Sequence, residues 1–244
     1  MLERLKKIDT LQKEIDKLRP LDIHALKQLR GYFKVGLTYS SNALEGNSLT
    51  ESETKVVLED GITIGGKPLK DHYEAIGHGE AYDLLYKLVK KSKITEDMIK
   101  KFHHLFYKRI DEGNAGQYRK VQVFVSGSRY SFPLPAKVSG LMAKFIRQMT
   151  QEKKKKHPVE FSAWAHKEFI FIHPFIDGNG RLARLLMNLI LLQSGYVVTL
   201  IPPILRSEYI QSLEKAHQDE KPFFDFIARM VEQTQEDYLR LLRG

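Results

Sequence analysis

The run His173-Pro174-Phe175-Ile176-Asp177-Gly178-Asn179-Gly180-Arg181-Leu182-Ala183-Arg184 decides the fold. It lies between two apolar runs, Phe161 to Ile172 and Leu185 to Leu192, and each of these predicts a buried helix. Pro174 disfavours the helical region at the residue before it, so the first helix is expected to stop at about His173. The second is expected to begin near Gly180, with its unpaired N–H groups facing the bend. Glycines before a helix N-terminus make an anion site, because free donors and the helix dipole both favour negative charge there. Arg181 and Arg184 are three apart, share a helix face and can grip one polyphosphate from the same side. Two arginines in a first helical turn oppose the dipole, which points to a compensating anion. Asp177 can hold a divalent cation between itself and phosphate oxygens. His173 is the one group of the run able to take a proton near neutral pH. A histidine at a helix end is most often a cap, and Gly-Asn-Gly is most often a turn. It is their concentration in one short bend between apolar helices that reads as a phosphoryl-transfer centre.

This stretch resembles the Fic-domain signature, His-x-Phe-x-(Asp/Glu)-Gly-Asn-Gly-Arg-x-x-Arg, at every specified position. Relatives of the Doc kinase subgroup carry Ala and Lys inside the loop, whereas Gly178 and Arg181 stand here, as in the nucleotidyl-transferring majority. The resemblance spans roughly residues 38 to 232. It implies an all-α Fic fold: a helical bundle around a central helix–anion loop–helix, with a small β-hairpin flap. It divides the chain into an N-terminal helical extension over 1–40 and a Fic domain over 41–244.

Upstream stands Ser40-Ser41-Asn42-Ala43-Leu44-Glu45-Gly46-Asn47. Gly46 and Asn47 are helix-stop residues, so Glu45 falls at the end of a helix, where an acid opposes the dipole and needs a cation. The segment over 41–46 resembles the Fic inhibitory motif, (Ser/Thr)-x-x-x-Glu-(Gly/Asn), at Ser41, Glu45 and Gly46. The resemblance implies that Glu45 pairs with Arg184 and prevents productive seating of a γ-phosphate.

The rest of the chain predicts helices. Leu2, Leu5, Ile8, Leu11, Ile15 and Leu18 form an amphipathic stripe ended by Pro20, which packs on the domain or offers a homodimer contact. A second helix is expected from Asp22 to about Tyr39. Thr50 and Glu53 form a capping box for the next. Further helices are expected over Asp71 to Lys91, Thr95 to Arg109, around Val138 to Met149, over Ser207 to His217 and from Pro222 to Arg243. The spacing of Gly61, Gly66 and Lys67 mimics a phosphate-binding loop, but Pro68 stands where a magnesium-binding hydroxyl is needed; Ile62 and Ile64 suggest a short hairpin instead. Val121, Val123 and Val125 alternate with Gln122 and Phe124, Gly127-Ser128 follows, and Arg129, Tyr130 and Phe132 complete a strand–turn–strand reading. By the resemblance this hairpin is the flap, and Val123, Phe124 and Val125 register a target segment by backbone pairing.

The composition, 42% hydrophobic and 28% charged, is that of an ordinary globular protein. No cysteine is present, so disulfides and thiolate metal sites are excluded, which fits a reducing compartment. The opening residues lack the apolar core of a signal peptide, and the most apolar window, Leu185 to Leu205, is interrupted by Asn188, Gln193, Gly195 and Pro202-Pro203. A cytoplasmic protein with no membrane partner is expected. The net charge of +9 raises nucleic acid as a partner, but the lysines cluster in short runs such as Lys153–Lys156, without an aromatic-interleaved stripe.

The resemblance implies transfer of AMP from ATP to a Ser, Thr or Tyr hydroxyl of a protein substrate, with auto-AMPylation and deAMPylation as further outcomes. His173 would be the general base and Asp177 the Mg²⁺ ligand. Gly178, Asn179, Gly180, Arg181 and Arg184 would bind the phosphates. The Leu213–His217 stretch resembles a family segment that often has Asn near position 217; His217 can still contact base or ribose, but nucleotide choice stays open. A Fic enzyme transferring UMP or phosphocholine shares this core. A non-enzymatic nucleotide-sensing or nucleic-acid-binding regulator is the competing class.

Overall fold

The computed structural model describes residues 1–91, 93–125 and 128–243. Among these residues the fold is all-α, with ten helices: α1 (Leu2–Lys17), α2 (Ile23–Ala43), α3 (Glu51–Glu59), α4 (Leu69–Leu88), α5 (Glu96–Tyr107), α6 (Pro135–Glu152), α7 (Pro158–Ile172), α8 (Asn179–Gln193), α9 (Arg206–Lys215) and α10 (Lys221–Arg243). No helix among them is long and apolar enough to cross a membrane.

The α7–α8 pair is the centre, with α4, α5, α6 and α10 around it and α1 laid along α10. Leu182, Ala183, Leu185, Leu186, Met187, Leu189, Ile190 and Leu191 are all buried, so α8 is apolar nearly all round, as a core helix must be. Each such leucine contributes about 1.5–3 kcal/mol by leaving water. Beyond the first turns, which carry Asn179, Arg181 and Arg184, Asn188 is a buried polar residue of the helix. Its amide donates to the carbonyls of Arg184 (3.0 Å) and Thr199 (3.1 Å), and its oxygen accepts from Thr199 N–H at 2.6 Å. It ties the chain after α8 back onto the helix.

Local chemistry sets the other boundaries. Asp22 caps α2 through the N–H groups of His24 and Ala25, and Thr50 with Glu53 forms the expected capping box on α3. α2 runs on to Ala43, a turn past the expected end near Tyr39, because buried Leu37, Thr38, Ser40, Ser41 and Asn42 keep its inner face in the core.

Two hairpin readings are corrected. Residues 61–64 form an open connection in which Ile64 N–H is taken by His72 Nε2 at 2.8 Å. Residues 118–134 run out and back, but carry no strand among the described residues; Gly127 of the expected turn lies outside them. Side chains take the carbonyls a ladder would use. Arg119 donates to Val121 O (3.0 Å) and Pro133 O (2.5 Å), and Gln122 donates to Phe132 O (3.1 Å). Val121, Phe124 and Val125 are exposed, so the outgoing arm buries little apolar surface, and an isolated two-strand ribbon is marginal in water.

Candidate active site

Helix α7 ends where Pro174 requires it, but His173 turns left-handed (φ 49°, ψ 60°) rather than extended. It is the one non-glycine residue with positive φ among the described residues, a conformation costing about 1–2 kcal/mol. Arg119 holds the bend: its Nε donates to His173 O at 2.7 Å and its backbone N–H to Pro174 O at 2.9 Å. The His173 ring stacks on Phe132 at 4.0 Å, and Nδ1 lies 3.3 Å from Ile170 O. A carbonyl only accepts, so Nδ1 carries the hydrogen and Nε2 keeps its lone pair. Burial pushes the pKa of His173 down to about 4, with the Ile170 hydrogen bond opposing, so the ring is neutral and able to accept a proton at pH 7.

The loop that follows is clasped from inside. Phe175 N–H donates to Asn179 Oδ1 (3.0 Å), and Asn179 Nδ2 donates back to Phe175 O (2.9 Å). Phe175 is fully buried and stacks on His103 at 3.9 Å, which makes it the loop's core anchor. His103 accepts Gly116 N–H at Nδ1 (2.8 Å), so its Nε2 donates to Asp177 O (3.1 Å). Burial lowers its pKa to about 4, which keeps this tautomer neutral. Gly178 opens α8 at φ 78°, where a Cβ would come within 2.5 Å of the Phe106 ring. Only glycine fits there.

Each of the two arginines is paired with a carboxylate from another helix or turn. Arg181 is fully buried, with Nη1 2.7 Å from Glu74 Oε1, Nη2 3.5 Å from Asp177 Oδ2 and its guanidinium over the Phe106 ring. Arg184, also buried, donates from Nε to Ser41 Oγ (3.0 Å) and from Nη1 to Tyr209 OH (3.3 Å). Its Nη2 donates to Ser41 O (2.8 Å) and to Glu45 Oε1 (2.7 Å). Burial works against its charge, but Glu45 and Tyr209 more than offset this and raise its pKa. A buried guanidinium without an anion is costly, which is why each finds one. Tyr209 in turn donates to His166 Nε2 at 2.9 Å. His166 and His78 are fully buried, and burial together with the charge of Arg184 pushes both down to about 3. The Glu45 carboxylate lies directly on the first turn of α8, where a Cβ on Gly180 would overlap it. Gly46, at φ 94°, ends the helix that delivers it.

A cleft of about 520 Å³ joins Glu45, His173, the 177–180 bend and Val123, Phe124 and Val125. His217 lines the same cleft, its ring between Tyr130 and Phe171 at 3.6 Å from each. Asp177 is half exposed; its Oδ1 accepts Gly178 N–H at 2.6 Å and its Oδ2 lies 3.8 Å from Lys70 Nζ. Among the described residues no three His, Cys, Asp or Glu side chains are grouped as a metal site. One carboxylate open to solvent still fits magnesium carried by a polyphosphate, since that ion takes one or two carboxylates plus phosphate oxygens and water. Sequence reasoning missed His103, Arg119, Glu74 and Arg206, an exposed cation lining the cleft whose Nε donates to Leu44 O at 2.8 Å.

A buried helix pair broken by a clasped anion loop, with a histidine closing one helix and two arginines opening the other, is the core of a Fic fold. A profile of the Fic/DOC family matches residues 93–191. The solved structure of Fic-1 from C. elegans is 30% identical and superposes with a TM-score of 0.88, covering 99% of this chain and 72% of that one. A Fic domain containing signaling protein from Bacteroides thetaiotaomicron, 28% identical, gives a TM-score of 0.89 over 99% of this chain and 98% of that one. The protein adenylyltransferase Fic of Drosophila persimilis is 38% identical over 204 residues, 82% of this chain. The chain belongs to the Fic family. It spans 40% of the length of that Drosophila relative.

Proposed function

We propose that this chain is a protein adenylyltransferase that moves AMP from ATP to a hydroxyl side chain of a protein, and that Glu45 holds it in check. The observation that carries the reading is the Arg184–Glu45 ion pair at 2.7 Å, seated at the N-terminus of α8 beside His173 in one cleft. A carboxylate already lies where the helix end would receive an anion.

In the reaction, a Ser, Thr or Tyr hydroxyl oxygen forms a bond to the α-phosphorus of ATP as the bond to the bridging oxygen breaks and pyrophosphate leaves. His173 takes the hydroxyl proton at Nε2, a contribution of about 10²–10⁴-fold. The N–H groups freed by Gly178, Asn179 and Gly180 bind phosphate oxygens, Arg181 steadies the β-phosphate region, and Arg184 takes the γ-phosphate once Glu45 releases it. Asp177 would hold Mg²⁺, which when bound offsets charge on the leaving pyrophosphate. Val123, Phe124 and Val125 line the cleft and would register an extended target segment by backbone pairing, and His217 contacts the base or ribose. Residues 1–40 are read as a helical extension of a Fic domain over 41–244, in a cytoplasmic protein.

The test is mass spectrometry of Glu45→Gly incubated with each nucleoside triphosphate and Mg²⁺. Addition of an AMP mass from ATP supports the reading; a UMP mass assigns another donor, and no addition with any triphosphate removes it. Because the Glu45 carboxylate lines the cleft, water-dependent release of AMP from modified protein is the second reading, and incubating modified target with the wild type and Mg²⁺ decides it.

A further inference from the structure

The turn that carries Glu45 is fastened to α4 by Asn47 and by Ser48, whose N–H and hydroxyl donate to Asp71 Oδ2 at 2.8 and 2.6 Å, and of these Asn47 alone reaches a carboxylate that also meets Arg181. Asn47, two residues beyond Glu45, donates from Nδ2 to Glu74 Oε2 at 2.9 Å and to Asp71 O at 3.0 Å. Its Oδ1 accepts Leu49 N–H at 3.0 Å, and its backbone N–H returns to Asn42 O at 3.1 Å. The other oxygen of Glu74 lies 2.7 Å from Arg181 Nη1, with Lys70 Nζ at 3.7 Å. Glu74 is itself buried on α4, its side chain 7% exposed, so its two oxygens have few other partners.

We infer that Glu74 is a positioning residue with two duties: one oxygen fixes Arg181 within the phosphate cradle, and the other, through Asn47, pins the turn that presents Glu45 to Arg184. The inference rests on the adenylyltransferase reading and adds to it a residue pair that links how firmly Glu45 is held to the state of Arg181. A buried carboxylate shared between a guanidinium and an amide loses strength toward one partner when drawn toward the other. A phosphate that takes Arg181 from Glu74 would therefore leave the carboxylate to Asn47 and hold the turn more firmly, whereas loss of the Asn47 bond loosens the turn that presents Glu45. The two arginines, separate in their contacts, become coupled through this carboxylate.

The test is a double-mutant cycle between Asn47→Ala and Glu45→Gly, read by calorimetry with ATP and Mg²⁺ and by label incorporation from α-labelled ATP. Asn47→Ala alone is expected to tighten ATP binding and raise transfer several-fold. In the Glu45→Gly background it is expected to do neither, because the residue it acts through is gone. Asn47→Asp, which sets a second carboxylate against Glu74, should exceed Asn47→Ala and covers the case in which the alanine variant folds poorly. Glu74→Gln in the Glu45→Gly background should raise KM for ATP several-fold with kcat little changed, a split that general loosening of the fold would not give. Unchanged ATP affinity in both Asn47 variants, or an equal change with and without Glu45, overturns the inference. Binding is read independently of chemistry, so absence of transfer in Glu45→Gly would remove the proposed reaction while the cycle still decides the coupling.

Discussion

Replacing Glu45 by Gly should strengthen ATP binding by about tenfold, because the energy that Glu45 gives to Arg184 must otherwise be surrendered before a γ-phosphate can take its place. The carboxylate makes one charge-assisted hydrogen bond, at 2.7 Å, to a guanidinium that is almost wholly buried. Bonds of this kind contribute about 1.5–3 kcal/mol. The Glu45 side chain is 37% exposed, and solvent weakens it, so the lower end applies, about 1.5 kcal/mol. A tenfold change in affinity corresponds to about 1.4 kcal/mol. Arg184 stays in place in the variant, since Ser41 Oγ, Ser41 O and Tyr209 OH still hold it. The free variant is nevertheless less stable, having lost the one carboxylate beside a buried charge. For a chain of this size each kcal/mol lowers the midpoint of thermal unfolding by about 2–4 °C.

Calorimetry gives the two dissociation constants, and thermal unfolding with and without ATP and Mg²⁺ gives an independent reading. The variant should unfold earlier without nucleotide and gain more from saturating ATP than the wild type does, because ligand stabilisation grows with the ratio of concentration to Kd. Equal dissociation constants would refute the reasoning, for they would mean that ATP binds without competing for Arg184. A variant that binds more weakly would show that Glu45 supports the site rather than blocking it.

His173→Ala is expected to lower transfer by about 10²–10⁴-fold while calorimetric ATP affinity stays within a few-fold of its parent, because the ring accepts a proton and need not hold phosphate. Transfer by the Glu45→Gly variant should stay level from pH 8 to below 6 and decline only as the pH approaches 4, where burial has placed the His173 pKa; a pH–rate profile breaking near 6.5 would contradict this. Stability has the same sign. His78 and His166 (about 3) and His103 and His173 (about 4) stay neutral in the fold but take protons below about 6.5 when unfolded, so the unfolded chain binds more protons between those values. Thermal midpoints should accordingly be full above pH 6.5 and fall as the pH drops toward 4. Gly178→Ala adds left-handed strain of about 1–2 kcal/mol and overpacking of about 1–3 kcal/mol against Phe106; a midpoint lowered by less than a few degrees would mean the loop has room. His217→Ala removes the ring between Tyr130 and Phe171, and hydrogen exchange over residues 128–133 should quicken.

The central bend was legible because its chemistry is contiguous: apolar helix, proline stop, glycines and arginines follow one another in sequence, and local rules place them. The helices were legible for the same reason, through stripes and caps. Glu45 is separated from Arg184 by 139 positions, and nothing in its neighbourhood names its partner beyond the expectation that an acid at a helix end seeks a cation. Only the resemblance supplied the other half. His103, Arg119 and Glu74 left no pattern, since each acts through a distant partner: a carbonyl of the bend for the first two, a guanidinium on α8 for the third. Alternation over Val121, Val123 and Val125 predicts a strand that is not formed among the described residues. Val121 and Val125 are exposed, and Arg119 and Gln122 donate to carbonyls that a ladder would use. The same arm lines the cleft through Val123, Phe124 and Val125, at the surface where an extended segment of the proposed substrate would lie.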